Sequence, residues 1–398
     1  MKIIFILCFI LCGCAIVPTG ITEPGLNIFS AGFYRYGNEN KPCIWTGAER
    51  TELPLPPLVT EFKITDMVVS DDGTIFTSGQ YKEQNIWKAC FWKGTERTDL
   101  PAPFSYQNAY TTAITITANG TAYTAGYYED DKIARPCYWQ GRIRRDLHFP
   151  SRLFNTYTTA IKVTANGIVF TAGYYKDLNG EKPCYWQGAA RTDIFVPSAS
   201  KNAAITAFDV AENVLVYSAG YYHDGIITKP CYWIGATRID LPLPAGYEDF
   251  RISGIVVASN REVYISGDYG TMFGTVKRRT PCYWKGSTRI DLSDGFSGGY
   301  TIDIIAGGGR DIYAVGYVND GNGWIPCFWH NNTRTDLVPF GHYGYTITDF
   351  TVSADRIAYT AGLFRRHDWY ICYWRNTNYY IVGPVVDGSI IKTKLLKN

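Results

Sequence analysis

The sequence of 398 residues has almost no net charge, because 38 Lys and Arg residues are balanced by 36 Asp and Glu residues, which leaves +2 at neutral pH. A chain so balanced has no field that would attract a phosphate backbone or an anionic bilayer surface. The composition therefore argues against nucleic acid as a partner.

Long segments with helical periodicity are also missing. Aromatic residues make up 16% of the chain, 31 residues are Tyr and 39 are Gly. This balance favours strands joined by tight turns. The fold class predicted from composition is all-β.

Residues that could form a metal or catalytic centre are few and scattered. The five histidines are His148, His223, His330, His342 and His367. No pair of them has the spacing of a zinc site, and none suggests a catalytic triad. The G-x-S-x-G string at Ser297 signals a nucleophile only between a strand and a helix, and "NDGNG" at 319–323 lacks the spaced carboxylates of a calcium loop. We expect no metal and no cofactor.

The chain begins with "MKIIFILCFILCGC", which has one positive charge, about ten apolar residues and then small residues ending in Cys14. Ten apolar residues are too few to span a bilayer. The segment resembles a bacterial lipoprotein signal, which implies a signal peptide at 1–13, lipidation of Cys14 and a tether at 14–25. Ordinary secretion and an uncleaved anchor are the alternatives. All three place the protein outside the cytoplasm, and the lipoprotein resemblance predicts a membrane-anchored location in the periplasm or at the cell surface.

From Leu26 onward one pattern occurs eight times. A Cys marks each copy, at intervals of 45 to 51 residues, and a Gly precedes it by about eleven residues. The marker residues are Cys43, Cys90, Cys137, Cys184, Cys231, Cys282, Cys327 and Cys372. A Trp follows each Cys by two residues: Trp45, Trp92, Trp139, Trp186, Trp233, Trp284, Trp329 and Trp374.

Each copy has signals for four strands, called a to d. Alternating runs such as "TAITITANG" end in Asn-Gly, which indicates a two-residue hairpin turn into strand b. A period near 47 residues with four antiparallel strands is typical of a β-propeller blade. The first copy lacks strand a, and the tail "DGSIIKTKLLKN" resembles one. We therefore predict a single eight-bladed propeller over 26–398, closed by pairing of the C-terminal strand with the first blade.

The repeated residues are assigned to the scaffold. Cys and Trp lie two apart on strand c and share one face of the strand, so both should pack between blades. The thiols of neighbouring blades should be too far apart for disulfides. The Arg-x-acid pair on strand d, as in Arg191 and Asp193, should form a repeated ion pair or hydrogen-bonded clasp.

Function is more plausibly carried by residues that differ between copies. The b–c and d–a loops vary, and strand alternation places both sets on one face of the disc. The candidate binding residues on these loops are Tyr106, Tyr110, Phe154, Tyr157, Tyr247, Phe250, Phe296, Tyr300, Tyr343 and Tyr345. These rings either form a recognition surface or cap the tops of the blades.

Two further sets of loop residues are candidates. The sixth b–c loop is longer than the others and holds a basic cluster, Lys277, Arg278 and Arg279, which either is a solvated insertion or recognises an acidic group. Trp87, Trp324 and Trp369 each precede their Cys by three residues, in three copies only.

The acidic residues of the loops support a competing hypothesis. Glu129, Asp130 and Asp131, or Glu248 and Asp249, offer carboxylate pairs of the kind used by glycosidases. The alternative to a binding module is thus an envelope polysaccharide hydrolase or lyase.

The order of strand-b Gly, aromatic-Trp, Gly, Asp-Leu and Asn-Gly resembles the HAF-type extracellular repeats of bacteria over residues 26–385. Cys and Tyr replace the Ala and Phe that are usual in that family. The resemblance implies an exported repeat protein and transfers no catalytic residue. An eight-bladed propeller on a lipid anchor is also similar in plan to the scaffold lipoprotein of the outer-membrane barrel-assembly machinery. We predict a monomeric, non-enzymatic envelope module that binds a protein or a glycan.

Overall fold

The computed structural model describes residues 26–104, 107–197, 202–211, 214–274, 276–292, 298–307, 311–337, 345–353, 355–365, 369–385 and 388–397. These residues form eight four-stranded antiparallel sheets, each with the spatial order a-b-c-d. The prediction of an all-β, eight-bladed propeller is confirmed. Within the described residues no helix has the length and apolar character needed to cross a bilayer. Cys14 and the rest of 1–25 lie outside the described residues.

Thirty-two strands build the blades. The a strands are β4 (Val59–Val69), β8 (Ala109–Ile116), β12 (Thr156–Val163), β16 (Ala203–Val210), β20 (Tyr247–Val257), β24 (Gly298–Ala306), β28 (Tyr345–Val352) and β32 (Gly388–Lys397). The b strands are β1 (Leu26–Tyr36), β5 (Ile75–Glu83), β9 (Ala122–Asp130), β13 (Val169–Asp177), β17 (Val216–His223), β21 (Val263–Phe273), β25 (Ile312–Asn319) and β29 (Ala358–Arg365).

The c strands are β2 (Glu39–Thr46), β6 (Ile86–Lys93), β10 (Ile133–Gln140), β14 (Gly180–Gln187), β18 (Thr228–Ile234), β22 (Val276–Lys285), β26 (Trp324–His330) and β30 (Trp369–Arg375). The d strands are β3 (Glu49–Glu52), β7 (Glu96–Leu100), β11 (Ile143–Asp146), β15 (Ala190–Asp193), β19 (Thr237–Asp240), β23 (Thr288–Asp291), β27 (Thr333–Asp336) and β31 (Asn378–Val385). Each a strand contacts the a strands of both neighbouring blades, so the a strands form the inner wall of the ring.

The ring closes through the C-terminal strand, as predicted. β32 pairs with β1 from Leu26↔Lys397 to Tyr34↔Gly388, which supplies blade 1 with its inner strand. Two lysines of β32 reach in opposite directions: Lys392 Nζ lies 3.6 Å from a carboxylate oxygen of Asp66 in blade 2, and Lys394 Nζ lies 3.6 Å from one of Asp349 in blade 8. Closure pairs the edge of β1 that would otherwise be open.

The core is divided among the blade interfaces. Eight clusters of buried residues occur in the described part of the chain, one at each junction between adjacent blades, including the junction of blades 8 and 1. The eight indoles are at most 3% exposed and the eight cysteines are fully buried free thiols. The sheets therefore adhere through both faces, as expected when Cys and Trp share one side of strand c.

Most of the buried indoles also bind the preceding blade. In blade 4, Trp186 Nε1 donates a hydrogen bond of 2.7 Å to the carbonyl oxygen of His148, just after the d strand of blade 3. Equivalent bonds join Trp92 to Pro54, Trp139 to Pro101, Trp233 to Phe195, Trp284 to Pro242 and Trp329 to Leu292. A buried N–H must find an acceptor, and here the acceptor belongs to the neighbouring blade.

The strand-b glycine makes room for the same indole. A Cβ at Gly126 would lie 2.8 Å from the Trp139 ring and 2.0 Å from the carbonyl oxygen of Tyr110 on strand a. The close approach arises at a β-bulge, where the register of β8 with β9 shifts between Thr111 and Ala113. Only a residue without a side chain fits there.

The Arg-x-acid pairs form clasps on the outer strand. Arg191 Nε lies 2.7 Å from Asp193 Oδ1, and its guanidinium carbon lies 5.3 Å from the centroid of the Tyr175 ring. In blade 1 the clasp differs in detail, since Arg50 lies over Tyr34 and the Tyr34 hydroxyl donates to Glu52.

One local prediction is wrong. The Asn-Gly turn between strands a and b is longer than a two-residue hairpin, because Thr117 N bonds Thr121 O and Gly120 N bonds Thr117 O. The Thr117 hydroxyl donates to Asn119 Oδ1, and Gly120 has φ +76°. The side-chain bonds favour this three-residue connection.

Candidate functional site

The candidate surface is the end of the ring where b–c loops and d–a loops meet. Every a strand starts at this end, every b strand finishes there and every c strand leaves from it. We call it the loop face. Side chains at the first positions of strand a and the last positions of strand b are consequently neighbours around the axial opening.

Five aromatic rings form a continuous row on the loop face of blades 2 to 4. Trp87 contacts Tyr110 with 6.2 Å between ring centroids, and Tyr110 stacks on Tyr127 at 4.9 Å. Tyr127 and Tyr157 pack edge to face with 4.9 Å between their ring centroids, and the centroids of Tyr157 and Tyr174 are 5.2 Å apart. All five side chains are partly buried, so each ring is held by its neighbours while part of it stays accessible. We call these residues the aromatic row.

The row exists because of strand register. Tyr110 pairs with Tyr127 across β8 and β9, and Tyr157 pairs with Tyr174 across β12 and β13. Directly opposed residues on antiparallel strands bring their side chains together on one side of the sheet. Burial raises the pKa of Tyr127 to about 12, so its hydroxyl remains a neutral hydrogen-bonding group at physiological pH.

Blade 6 carries charge at the same two positions. Arg251 pairs with Asp268 across β20 and β21, where blades 3 and 4 have two tyrosines. Asp268 has no exposed surface, and its carboxylate oxygens lie 3.0 Å from Arg251 Nη2 and 2.7 Å from Arg279 Nη1. Asp249 in turn binds Arg279 Nη2 at 3.1 Å and Lys277 Nζ at 2.7 Å. We call these five residues the charge network.

The charge network includes two of the three residues of the predicted basic cluster. Lys277 and Arg279 are both engaged by carboxylates of blade 6, and both side chains keep exposed surface. Arg278 is exposed and also takes part in an interaction. Burial raises the pKa of the Asp268 carboxyl, and the guanidinium groups of Arg251 and Arg279 oppose that shift.

Blade 7 completes an aromatic group beside the charge network. Tyr300 contacts Tyr317 with 5.1 Å between ring centroids and Trp324 with 5.1 Å. Trp324 is 49% exposed, whereas Tyr317 is buried and donates from its hydroxyl to the Tyr345 carbonyl at 3.2 Å. Tyr317 thus fixes Tyr300, and Trp324 is the accessible member of the group.

The structure separates the remaining predicted residues into pairs. Phe154 stacks near Tyr175 at 6.4 Å and Tyr345 lies near Phe364 at 6.3 Å. Tyr247 and Phe250 meet edge to face at 6.4 Å within blade 6. These rings pack locally and do not join the aromatic row. Trp369 begins β30, and Tyr106, Phe296 and Tyr343, like Ser297, lie outside the described residues.

Three of the five carboxylates of the competing hypothesis, Glu129, Asp130 and Asp249, have partners of their own. Glu129 Oε2 accepts from Asn108 at 2.7 Å, and Asp130 Oδ1 accepts from Gln107 at 3.3 Å. Burial raises the pKa of Asp249, but the Lys277 hydrogen bond and the charges of Arg279 and Lys277 outweigh it, so the net pKa is lowered. An ionised, ion-paired carboxylate is poorly suited to be a general acid. Within the described ranges, no three His, Cys, Asp or Glu residues are grouped to hold a metal.

Residues that sequence reasoning missed lie on strands rather than loops. They are Tyr127, Tyr174, Tyr317, Arg251 and Asp268. For all of them but Arg251, the signal was present at one repeat position, directly after the strand-b Gly, where successive copies have Phe33, Gln80, Tyr127, Tyr174, Tyr221, Asp268, Tyr317 and Leu363. A position that changes chemistry in a repeat is a candidate for function even inside a strand.

Comparison with known proteins supports the fold alone. No protein-family model matches the sequence, and a search of curated proteins found no match. The HAF-type and lipoprotein resemblances therefore stay predictions. Among solved structures, dihydro-heme d1 dehydrogenase NirN is similar with a TM-score of 0.51 and 10% identity, over 96% of this chain and 77% of that one.

Two lyases are more distant neighbours. A PL25 polysaccharide lyase, an ulvan lyase, has a TM-score of 0.44 at 10% identity, with 94% of this chain and 93% of that one covered. Virginiamycin B lyase from Staphylococcus aureus has a TM-score of 0.40 at 13% identity, covering 87% and 99%. At such identities the likeness extends to architecture and not to activity.

Proposed function

We propose that this protein is a non-enzymatic binding module of the cell envelope that takes a glycan on its loop face. The observation that carries the proposal is the aromatic row, five rings in unbroken contact across three blades beside the axial opening. A repeat scaffold does not need these rings, because blades 2, 5, 6 and 8 have other residues at one or both of the paired positions.

A glycan suits this surface better than a protein does. Tyrosine offers an apolar ring face and a polar tip with little loss of side-chain entropy, which matches a sugar with its C–H face and its hydroxyls. A stable protein interface needs a contiguous apolar core. The strongly exposed apolar side chains of the loop face are instead spread over separate loops of five blades: Tyr36, Leu58, Phe104, Leu153, Leu178, Phe195 and Ile226.

The proposed lipid anchor is compatible with this use of the loop face. β1 begins at Leu26 on the opposite face and ends at Tyr36 on the loop face. A tether at 14–25, attached to a lipidated Cys14, would leave from the face opposite the aromatic row. The row would then point away from the membrane, towards envelope polymers.

The proposal is tested by affinity electrophoresis of the purified protein through gels that contain purified polysaccharides, neutral and acidic. We expect at least one polysaccharide to retard the protein. Tyr157→Ala should weaken that binding by roughly fivefold, since an aromatic contact contributes about 1 kcal/mol.

Tyr185→Ala is the matched control. Tyr185 is also a partly buried tyrosine of blade 4, but it lies near the other end of strand c. It should leave retardation unchanged. Equal effects of the two substitutions would contradict the proposal. So would a protein that binds none of the polysaccharides and binds a protein partner through the loop face.

A further inference from the structure

Around the axial opening, paired aromatic residues are replaced by charged residues in blade 6. The position that holds Tyr in blades 3, 4 and 7 holds Arg251, and its cross-strand partner is Asp268 in place of Tyr. One blade thus presents an ion pair where three others present two rings. The charge network therefore belongs to the same surface as the aromatic row.

The charge network has one positive charge in excess. It contains three cationic side chains, Lys277, Arg279 and Arg251, and two carboxylates, Asp249 and Asp268. Arg279 and Lys277 share Asp249, and Arg279 also binds Asp268. Arg251 is the member that is both half exposed, at 48%, and directed along the loop face towards blade 7.

Arg251 is held rigidly. Its Nε and Nη2 lie 3.1 Å and 3.0 Å from Asp268 Oδ2, and Nη2 also donates to the Thr301 carbonyl at 2.7 Å. The guanidinium carbon lies 4.8 Å from the centroid of the Tyr300 ring. Among the residues that the structure describes, these contacts leave Nη1 open to a ligand. A guanidinium that is already ordered loses little entropy when it binds a further carboxylate.

An exposed ring and the guanidinium both contact Tyr300. Trp324 contacts Tyr300 at 5.1 Å with 59° between the ring planes, and Trp324 is 49% exposed. A cation beside an accessible aromatic face is the combination that recognises a sugar carrying an acid: the ring packs on the sugar and the guanidinium pairs with the carboxylate.

We infer that Arg251, Tyr300 and Trp324 form a subsite for an acidic sugar, so that the ligand of the loop face is a uronic-acid-containing glycan. The inference rests on the proposed function, because it names the class of glycan that the same face takes. Asp268 is a positioning residue for Arg251.

The test compares polygalacturonate, its methyl ester and dextran sulfate in the same electrophoresis assay. The native protein should bind polygalacturonate at least tenfold more tightly than the ester, in which the carboxylates are blocked. Arg251→Gln should abolish this preference while the residual binding to the ester persists through the aromatic row. Arg251→Lys keeps the charge but lacks the planar fork, and should restore the preference only in part.

Arg289→Gln is the matched control. Arg289 lies in the same blade, pairs with Asp291 at 2.9 Å and lies 4.9 Å from the Tyr269 ring centroid, but it is on the outer strand. It should leave binding unchanged. If Arg251→Gln has a low melting temperature, Trp324→Ala is tested in its place, because the loss of an exposed side chain should not unfold the protein. Trp324→Ala should weaken polygalacturonate binding severalfold.

The outcomes separate the two proposals. Loss of binding in Tyr157→Ala together with a full acid preference in Arg251→Gln overturns this inference and leaves the proposed function intact. Dextran sulfate binding as tightly as polygalacturonate and depending equally on Arg251 would show attraction to charge alone, and would also overturn it. Failure of every polysaccharide to bind would overturn both.

Discussion

Replacing Trp186 by Phe should destabilise the protein by about 2–4 kcal/mol. The indole is fully buried, and its N–H bonds the His148 carbonyl of the preceding blade at 2.7 Å. Phe keeps a ring in the interface but leaves that carbonyl without its donor, which costs about 1–3 kcal/mol. The smaller ring also leaves unfilled volume, which adds about 1 kcal/mol.

Urea denaturation followed by far-UV circular dichroism measures the effect without relying on tryptophan emission. Because a large domain has an m-value of about 3 kcal/mol/M or more in urea, the midpoint should fall by roughly 0.5–1 M. Trp324→Phe is the control: its side chain is 49% exposed and on the loop face, so its midpoint should hardly move. Equal midpoints for the two variants would refute the idea that the buried indoles join the blades.

Three other predictions concern thiols, closure and pH. Burial raises the pKa of the Cys90, Cys137 and Cys184 thiols well above the usual value, so the eight blade cysteines should not react with Ellman's reagent at pH 8 until the protein is unfolded; rapid reaction of more thiols than the three of Cys8, Cys12 and Cys14 in the native protein would contradict their placement. Deletion of 388–398 removes the partner of β1, so we expect a lower melting temperature and self-association through the open edge in size-exclusion chromatography; an unchanged monomer would disprove closure. Crowding by surrounding protein atoms raises the pKa of Asp303 on the inner strand β24, although the residue keeps an exposed surface, so the folded state retains its proton to higher pH than the unfolded chain does, and the small stability this contributes is lost as pH rises through the folded-state pKa. Asp303→Asn should therefore be more stable than the native protein at pH 7 and lose that advantage towards pH 4; the opposite pH trend in thermal melts would count against it.

The scaffold could be predicted from the sequence because its determinants are local and repeated eight times. Cys and Trp two residues apart had to share a face of strand c, and the structure places both between blades. The missing first a strand and the surplus strand at the end of the chain also predicted closure, which β32 provides. Because the pattern occurs eight times, the strand assignment of one copy could be checked against the other seven.

The site was less predictable because its contacts join residues that are distant in sequence. The loop cluster at Lys277 and Arg279 looked basic, but its carboxylate partner Asp249 is on another strand, 28 and 30 residues away. Tyr127 was not among the predicted binding residues, because it lies within strand b and not in a variable loop. Its role depends on contact with Tyr157 of the next blade, and a contact between blades depends on the bulged register of strand a, which no local pattern shows.

A crystal structure of the protein with an oligogalacturonate tests the account most directly. Sugar rings should pack against Tyr110 and Tyr157, and a carboxylate of the sugar should pair with Arg251. The strongest contrary result would be an oligosaccharide seated in the groove of about 930 Å³ between blades 1 and 2, lined by Phe33, Glu39 and Phe62, with the aromatic row left bare.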